Sequence, residues 1–112
     1  MKAKIGLMNP VKLFTHALLV FFLHDLTPVM AAGDAKKGEE LFKQCIACHG
    51  GRAEGNKEQK APKLQGQHEW YLLTSLQKFK KQERKNPPML PFVAKLSDQD
   101  FSDLAAYIIT IK

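Results

Sequence analysis

The stretch Cys45-Ile46-Ala47-Cys48-His49 is the most informative part of this 112-residue chain, and it contains both of its cysteines. Residues three apart on a helical turn point the same way, so the two thiols are expected to face one side of the chain. The residue that follows them is histidine, whose neutral imidazole is a common metal ligand. Two thiols and an imidazole on one turn therefore predict a site for a metal or a metal-containing cofactor.

Four interpretations of this pattern compete. A thioredoxin-like dithiol needs a βαβ context, which the sequence does not provide. Zinc needs two further ligands, and the only other histidine after residue 31 is His68. A disulfide between residues three apart closes too small a loop to stabilise the fold much. The pattern C-x-x-C-H is the attachment motif of c-type haem, so Cys45 and Cys48 are predicted to form thioethers and His49 to bind the iron.

The second axial ligand of such an iron is predicted to be Met89. The other three methionines all precede residue 31. Met89 lies in Asn86–Pro91 (NPPMLP), where the prolines restrict the backbone and hold a side chain in place at a low entropic cost. Two alternatives remain: Met89 is a flexible core filler, or His68 is the ligand, which implies a lower reduction potential.

The first 31 residues are predicted to be a cleaved secretory signal peptide, which leaves residues 32–112 as the mature domain. Three lysines and no acid precede an apolar stretch of about 11 residues, too short for a bilayer span of about 20. Val29-Met30-Ala31 is a suitable cleavage site, and cleavage after Ala31 or the next alanine is expected. An uncleaved anchor is the alternative, and His24 and Asp25 argue against it. We therefore expect a periplasmic or otherwise exported protein without stable membrane insertion.

Three amphipathic helices are predicted after residue 33. The first begins near Asp34, a residue type that caps helix N-termini. The second spans about residues 68–83, and the third begins at a capping box of Ser97 and Asp100. The residues expected at helical spacing on the buried faces are Gly38, Leu41, Phe42, Cys45, Leu72, Leu73, Leu76, Phe79, Phe101, Leu104, Ile108 and Ile111.

Two long loops separate these helices. Residues 50–60 hold three glycines and five charged residues without an apolar period. Pro87 and Pro88 are expected to end the second helix, and Pro91 is expected to keep the following segment extended. Long loops in so small a domain argue against a plain helical bundle unless a cofactor fills the middle. The predicted fold class is all-α, with three main helices and long loops wrapped around one covalently attached haem.

Over residues 33–112 the chain resembles class I c-type cytochromes. It is most similar to small bacterial mono-haem proteins that match one half of the di-haem cytochromes of the c-four type. The matching positions are Gly38, Phe42, Cys45, Cys48, His49, Ala61, Pro62, Leu64, Gly66, Gln67, Tyr71, Leu72, Phe79, Lys80, Arg84, Met89, Leu96, Ser97, Asp98, Leu104, Ala105, Ala106 and Tyr107. The resemblance implies one covalent haem c and an electron carrier rather than an enzyme.

The resemblance also implies particular contacts. Gly38 and Phe42 are expected to cross the last helix at Leu104 and Tyr107, with Gly38 allowing a close approach. The carbonyl of Pro62 is expected to accept a hydrogen bond from Nδ1–H of the ligating histidine and so to fix its tautomer. The remaining candidates for contact with the haem and its propionates are Trp70, Tyr71 and Arg84. Ordinary helix-face packing is the alternative for Trp70 and Tyr71.

The charge distribution suggests a kind of partner. The net charge of +6 falls to about +4 without the first 31 residues, which leaves a local basic run as the main positive feature. Nucleic acid is an unsuitable partner, because no series of aromatic side chains that could stack on successive nucleobases is interleaved with the basic residues of this run, and because the protein is expected outside the cytoplasm. A solvated helix face is the ordinary interpretation, and steering of acidic redox partners is the functional one. The run consists of Lys78, Lys80, Lys81, Arg84 and Lys85.

Two other functions stay open at this point. One is a haem sensor or peroxidase-like domain, in which Met89 dissociates to open the iron. The other is a fixed electron-relay subunit within a larger oxidoreductase. The sequence favours a monomeric, freely diffusing carrier that shuttles electrons between exported or membrane-bound partners.

Overall fold

The computed structural model describes residues 31–112, so the signal-peptide prediction falls almost wholly outside the described residues. Within that range the chain forms five helices and no strand, which confirms the all-α prediction. None of the described helices is both long and apolar enough to cross a bilayer. The helices are α1 (Ala35–Phe42), α2 (Ile46–His49), α3 (Glu69–Lys80), α4 (Leu90–Val93) and α5 (Asp98–Ile108).

Helices α1 and α5 cross at Gly38, as the family resemblance implies. Gly38 is buried, and a Cβ atom built on it would lie 2.0 Å from the Asp103 carbonyl oxygen. The same Cβ would lie 2.7 Å from Cβ of Tyr107. One turn further on, the Phe42 and Tyr107 rings pack with centroids 5.6 Å apart. The two backbones therefore touch where glycine removes the side chain.

The capping box at the start of α5 is confirmed. Asp100 N–H donates to Ser97 Oγ at 3.1 Å, and Ser97 N–H donates to Asp100 Oδ2 at 2.7 Å. The start of α1 is capped by Asp34, whose Oδ1 accepts from two backbone N–H groups. The buried apolar core contains Phe42, Ala53, Leu72, Val93, Leu96, Phe101, Leu104, Ala105 and Ile108.

Two local predictions differ from the structure. Helix α3 ends at Lys80 rather than near residue 83, because Gln82 adopts a left-handed backbone with φ of 58°. The prediction that Pro91 keeps its segment extended is wrong, since Pro91 lies in the first turn of α4. The first turn of a helix tolerates proline, because its N–H groups have no intrahelical acceptor.

Asp103 is a buried carboxylate that ties α1 to α5. It is 2% exposed, and its Oδ1 accepts from Asp34 N–H at 2.8 Å and from Gln99 Nε2 at 2.9 Å. Burial disfavours ionisation of this carboxyl. The two hydrogen bonds and the charge of Lys37 outweigh burial and hold the pKa of Asp103 below its ordinary value.

Replacing Asp103 by asparagine is expected to lower the free energy of unfolding by about 1–3 kcal/mol at neutral pH, because charged hydrogen bonds are lost. Since the folded-state pKa is lowered, this stabilisation is complete above the unfolded pKa of about 3.9 and is lost as the pH falls through the folded value. Urea unfolding at a series of pH values, from pH 7 down to below the folded-state pKa of Asp103, measures both effects. Asp98→Asn, an exposed change in the first turn of the same helix, is the control. Equal unfolding free energies for the two variants at pH 7 would contradict the role of Asp103.

Candidate functional site

The pentapeptide forms a helical turn, as its spacing predicts. Cys45 is the N-cap residue of α2, and His49 N–H donates to the Cys45 carbonyl oxygen at 2.9 Å. Both cysteines are half-buried free thiols. The structure therefore has the two thiols and the imidazole on one turn, without a disulfide between them.

This turn borders a cavity of about 640 Å³. That volume lies within the range of about 300–1,000 Å³ that is usual for sites of small molecules and cofactors. The pentapeptide provides Cys45, Cys48 and His49 to the lining, and the segment before α4 provides Met89. The apolar lining includes Leu64, Leu72, Leu76, Phe79, Phe92, Val93, Leu96, Leu104 and Ile108.

His49 is buried with one ring nitrogen already engaged. Its Nδ1 lies 2.9 Å from the carbonyl oxygen of Pro62, and 6% of the residue is exposed. A carbonyl oxygen only accepts hydrogen bonds, so Nδ1 carries the proton and Nε2 keeps its lone pair for a metal. This is the contact to Pro62 that the family resemblance implies, and it is the usual way in which a protein orients a ligating histidine.

The Cys45 thiol differs from the reactive thiol of a redox-active dithiol. Burial, with a smaller contribution from the neighbouring Cys48, raises the pKa of Cys45 to about 11. Reactive C-x-x-C thiols have a lowered pKa, which keeps a thiolate available as nucleophile. Zinc is equally unsupported, because residues 31–112 contain no cluster of three or more His, Cys, Asp or Glu suited to a metal ion. The described residues thus support neither a reactive dithiol nor a zinc site.

Met89 lines the same cavity as His49, whereas His68 does not. Met89 is partly buried, and its N–H donates to the Asn86 carbonyl oxygen at 3.0 Å in a turn that leads into α4. His68 is exposed, and its ring stacks on that of Trp70 with centroids 6.2 Å apart. Of the two candidate second ligands, the structure brings only Met89 together with His49.

Tyr71 lines the cavity, but Trp70 does not. The Trp70 side chain is 66% exposed and packs edge-on against Tyr71, with centroids 5.8 Å apart. Consecutive residues on a helix point about 100° apart, so α3 can direct only one of these two rings at the cavity. The structure thus places Tyr71 in the cavity lining and Trp70 on the outer surface of α3, where its ring packs against His68 and Tyr71.

Arg84 is held against the cavity wall by residues of α3. Its Nη1 lies 3.4 Å from Tyr71 Oη and 3.4 Å from Ser75 Oγ, and its guanidinium lies 4.8 Å from the centroid of the Phe79 ring. The hydrogen bond from Arg84 and its charge lower the pKa of Tyr71. Arg84 thus places a positive charge at the cavity, and its contacts with α3 hold the guanidinium there.

Among residues 31–112, the cavity lining contains four cationic residues and no acid. Arg84 and Lys85 belong to the predicted basic run, but Lys78, Lys80 and Lys81 do not line the cavity. Sequence reasoning missed the other two cations, which lie in the loop that follows the pentapeptide. The signal was nevertheless present, because both flank Pro62, which was expected to contact the histidine. The four cations are Lys60, Lys63, Arg84 and Lys85.

Comparison with known proteins gives one consistent result. The family model for cytochrome c matches residues 35–112. Cytochrome c4 of Pseudomonas aeruginosa is 41% identical over 102 residues, which cover 90% of this chain and 49% of that protein. Cytochrome c-554(548) of Halomonas halodenitrificans is 39% identical over 79 residues, which cover 68% of this chain and 94% of that protein. The chain therefore spans about half of the length of the cytochrome c4 relative and nearly all of cytochrome c-554(548).

A solved structure agrees with these relatives. The crystal structure of reduced recombinant cytochrome c4 from Pseudomonas stutzeri superposes with a TM-score of 0.63 at 32% identity, over 73% of this chain and 53% of that one. The residues around the cavity fit a covalent haem: two free thiols on one turn, a histidine with a fixed tautomer and a methionine on a mostly apolar wall. The chain belongs to the cytochrome c family of electron-transport proteins, which bind haem c covalently.

Proposed function

We propose that the protein is a one-electron carrier with a single haem, attached through Cys45 and Cys48 and ligated by His49 and Met89. The observation that carries this proposal is the shared cavity, which His49 and Met89 both line. When bound, the haem supplies a one-electron couple between ferric and ferrous iron. The chain supplies the attachment, the two ligands and an apolar environment.

The ligand set argues for electron transfer rather than catalysis. Pro62 holds the imidazole of His49 through its Nδ1–H, and the turn from Asn86 holds Met89. With both residues as ligands, the chain leaves no iron position open for a substrate. A sensor or peroxidase-like function would require Met89 to leave, and the hydrogen-bonded turn at Asn86 opposes that movement.

Replacing Met89 by alanine is expected to lower the reduction potential by on the order of 0.1–0.3 V, because methionine ligation raises the potential of haem iron. A redox titration with optical spectra measures this change, and the weak long-wavelength band of methionine-ligated ferric haem should disappear. Met89→His should also lower the potential, through two histidine ligands. His68→Ala is the control and should leave both the band and the potential unchanged. A parent that lacks this band, with a potential that changes in His68→Ala but not in Met89→Ala, would assign the ligand to His68.

We propose that acidic redox partners dock at the rim of the cavity, on the exposed side chains of Lys60, Lys63, Arg84 and Lys85. The support is that these cations line the cavity and that no acid lines it within the described part of the chain. Cations around the cofactor would attract an acidic surface and increase the rate of encounter. Within the basic run predicted from sequence, this proposal retains Arg84 and Lys85 and replaces the three lysines that lie away from the cavity.

Reversing both Lys60 and Lys63 to glutamate is expected to slow electron transfer with an acidic partner by about tenfold at low ionic strength and to weaken its dependence on salt. Stopped-flow kinetics over a range of ionic strengths measures both quantities. The double variant Lys78→Glu, Lys81→Glu makes the same change in net charge on α3 and its C-cap, away from the cavity. A smaller effect of this second pair supports the rim. Equal effects of the two pairs would assign steering to the basic residues as a whole rather than to the cavity rim.

We further propose that the protein is exported, with cleavage after Ala31 or Ala32, and that it acts as a freely diffusing monomer. The basic and apolar pattern of the first 31 residues supports export. The intact mass of the protein recovered from the periplasm tests the cleavage site. Gel filtration of the native extract separates a free carrier from a fixed subunit of a larger oxidoreductase.

A further inference from the structure

We propose that Lys80 is a positioning residue for Met89. Lys80 holds the C-terminal end of the segment from Met89 to Leu96 against the rest of the protein. The inference rests on the proposed ligation of iron by Met89. It assigns Lys80 a different task from the neighbouring lysines of the basic run, with which the sequence groups it.

The side chain of Lys80 reaches away from its own helix. Lys80 is the last residue of α3, and its Nζ donates to the carbonyl oxygen of Leu96. The same ammonium group lies 5.7 Å from the centroid of the Phe101 ring, within the range of a cation–π interaction. Leu96 is 9% exposed and Phe101 is fully buried, so both contacts are anchored in the core. Within the described residues, Lys78 and Lys81 form neither kind of contact.

The carbonyl that Lys80 holds is connected to Met89 by a short series of backbone hydrogen bonds. Leu96 N–H donates to the Val93 carbonyl oxygen at 3.2 Å. Val93 N–H donates to the Met89 carbonyl oxygen at 3.2 Å. These hydrogen bonds join the segment from Met89 to Leu96 into one unit built around α4, and we expect it to move as a whole. The turn from Asn86 fixes its beginning, and Lys80 fixes its end.

Loss of the Lys80 contact should therefore favour local opening of this segment. Short segments open independently of global unfolding when few contacts hold them. Hydrogen bonds from a charged donor are stronger than neutral ones, so removal of this one changes the opening equilibrium more than an ordinary surface change does. Opening withdraws Met89 from the iron without disturbing the α1–α5 crossing, which contains no part of the segment.

Binding of added imidazole to the ferric holoprotein measures this opening, because imidazole takes the iron position only when Met89 has left it. Lys80→Met keeps the apolar stem and removes the donor, and it is expected to bind imidazole about tenfold more tightly than the parent. Lys81→Met, the matched control, should stay within about twofold of the parent. Lys80→Arg keeps a cationic donor near Leu96 and Phe101, and it should restore an affinity close to that of the parent.

A second readout follows the segment directly. Amide hydrogen exchange at Val93 and Leu96 should be faster in Lys80→Met, while exchange within α1 and α5 should be unchanged. Suppose that the parent shows the weak long-wavelength band of methionine ligation. If Lys80→Met and Lys81→Met then bind imidazole with equal affinity, the positioning role of Lys80 is overturned and Met89 ligation stands. If the parent itself lacks the band, Met89 is not the ligand, and this inference is overturned together with that part of the proposed function.

Discussion

Replacing both Cys45 and Cys48 by alanine is expected to abolish covalent haem attachment and, with it, the stable fold. Five of the nine buried apolar core residues also line the cavity, so much of the core is arranged around the cofactor. A mature chain of about 80 residues is near the size at which a core alone gives little stability. These five residues are Leu72, Val93, Leu96, Leu104 and Ile108.

Haem staining after denaturing electrophoresis measures the attachment, and far-UV circular dichroism measures the fold. The double variant should show no stain and a large loss of helical signal at 25 °C, whereas each single variant keeps one thiol for attachment. Ala47→Ser, an exposed change within the same turn, is the control and should retain both signals. A double variant that is stained would place the attachment elsewhere. One that is unstained but fully helical would show that the core does not depend on the haem.

The sequence was most informative where a local pattern has one physical solution. The pentapeptide predicted a helical turn with both thiols on it, and the structure has that turn in α2. Ser97 and Asp100 predicted a capping box, and both of its hydrogen bonds are present. These features depend on contacts within a few residues, so short-range spacing is enough to predict them.

Features set by tertiary contact were less predictable. Trp70 and Tyr71 are adjacent aromatic residues, and only the packing of α3 shows which of them lines the cavity. The basic run includes Lys80, but its ammonium group is held by Leu96, 16 residues away in the chain. Lys60 and Lys63 flank Pro62 and line the cavity, and the hydrogen bond of the Pro62 carbonyl with His49 helps to hold their loop there. Of the basic run predicted from sequence, only Arg84 and Lys85 line the cavity. The contact of Pro62 with His49, which the family resemblance implies, lies beside the other two cavity cations.

Replacing Gly38 by valine is expected to give the largest loss of stability of any single change in α1. Even an alanine Cβ would lie 2.0 Å from the Asp103 carbonyl oxygen, which belongs to the backbone of α5. Backbone cannot rotate aside, so the two helices must separate. Overpacking of a well-packed core usually costs about 1–3 kcal/mol, and a clash with backbone belongs at or above the upper end of that range. Separation of α1 and α5 would also open the contact between Phe42 and Tyr107.

Gly38→Ala tests the close crossing of α1 and α5 through the sign of its effect on stability. In an exposed helix this change stabilises by about 1 kcal/mol, because alanine has the higher helix propensity. At Gly38 it should destabilise instead, since steric exclusion by the Asp103 carbonyl exceeds the gain in propensity. Gly51→Ala is the matched control, because a Cβ there meets nothing within 4 Å. Denaturant unfolding of the three holoproteins should rank Gly51→Ala near the parent, Gly38→Ala below it and Gly38→Val lowest. A Gly38→Ala protein as stable as the parent would mean that α1 and α5 can move apart without loss, and the close crossing would then contribute little to the fold.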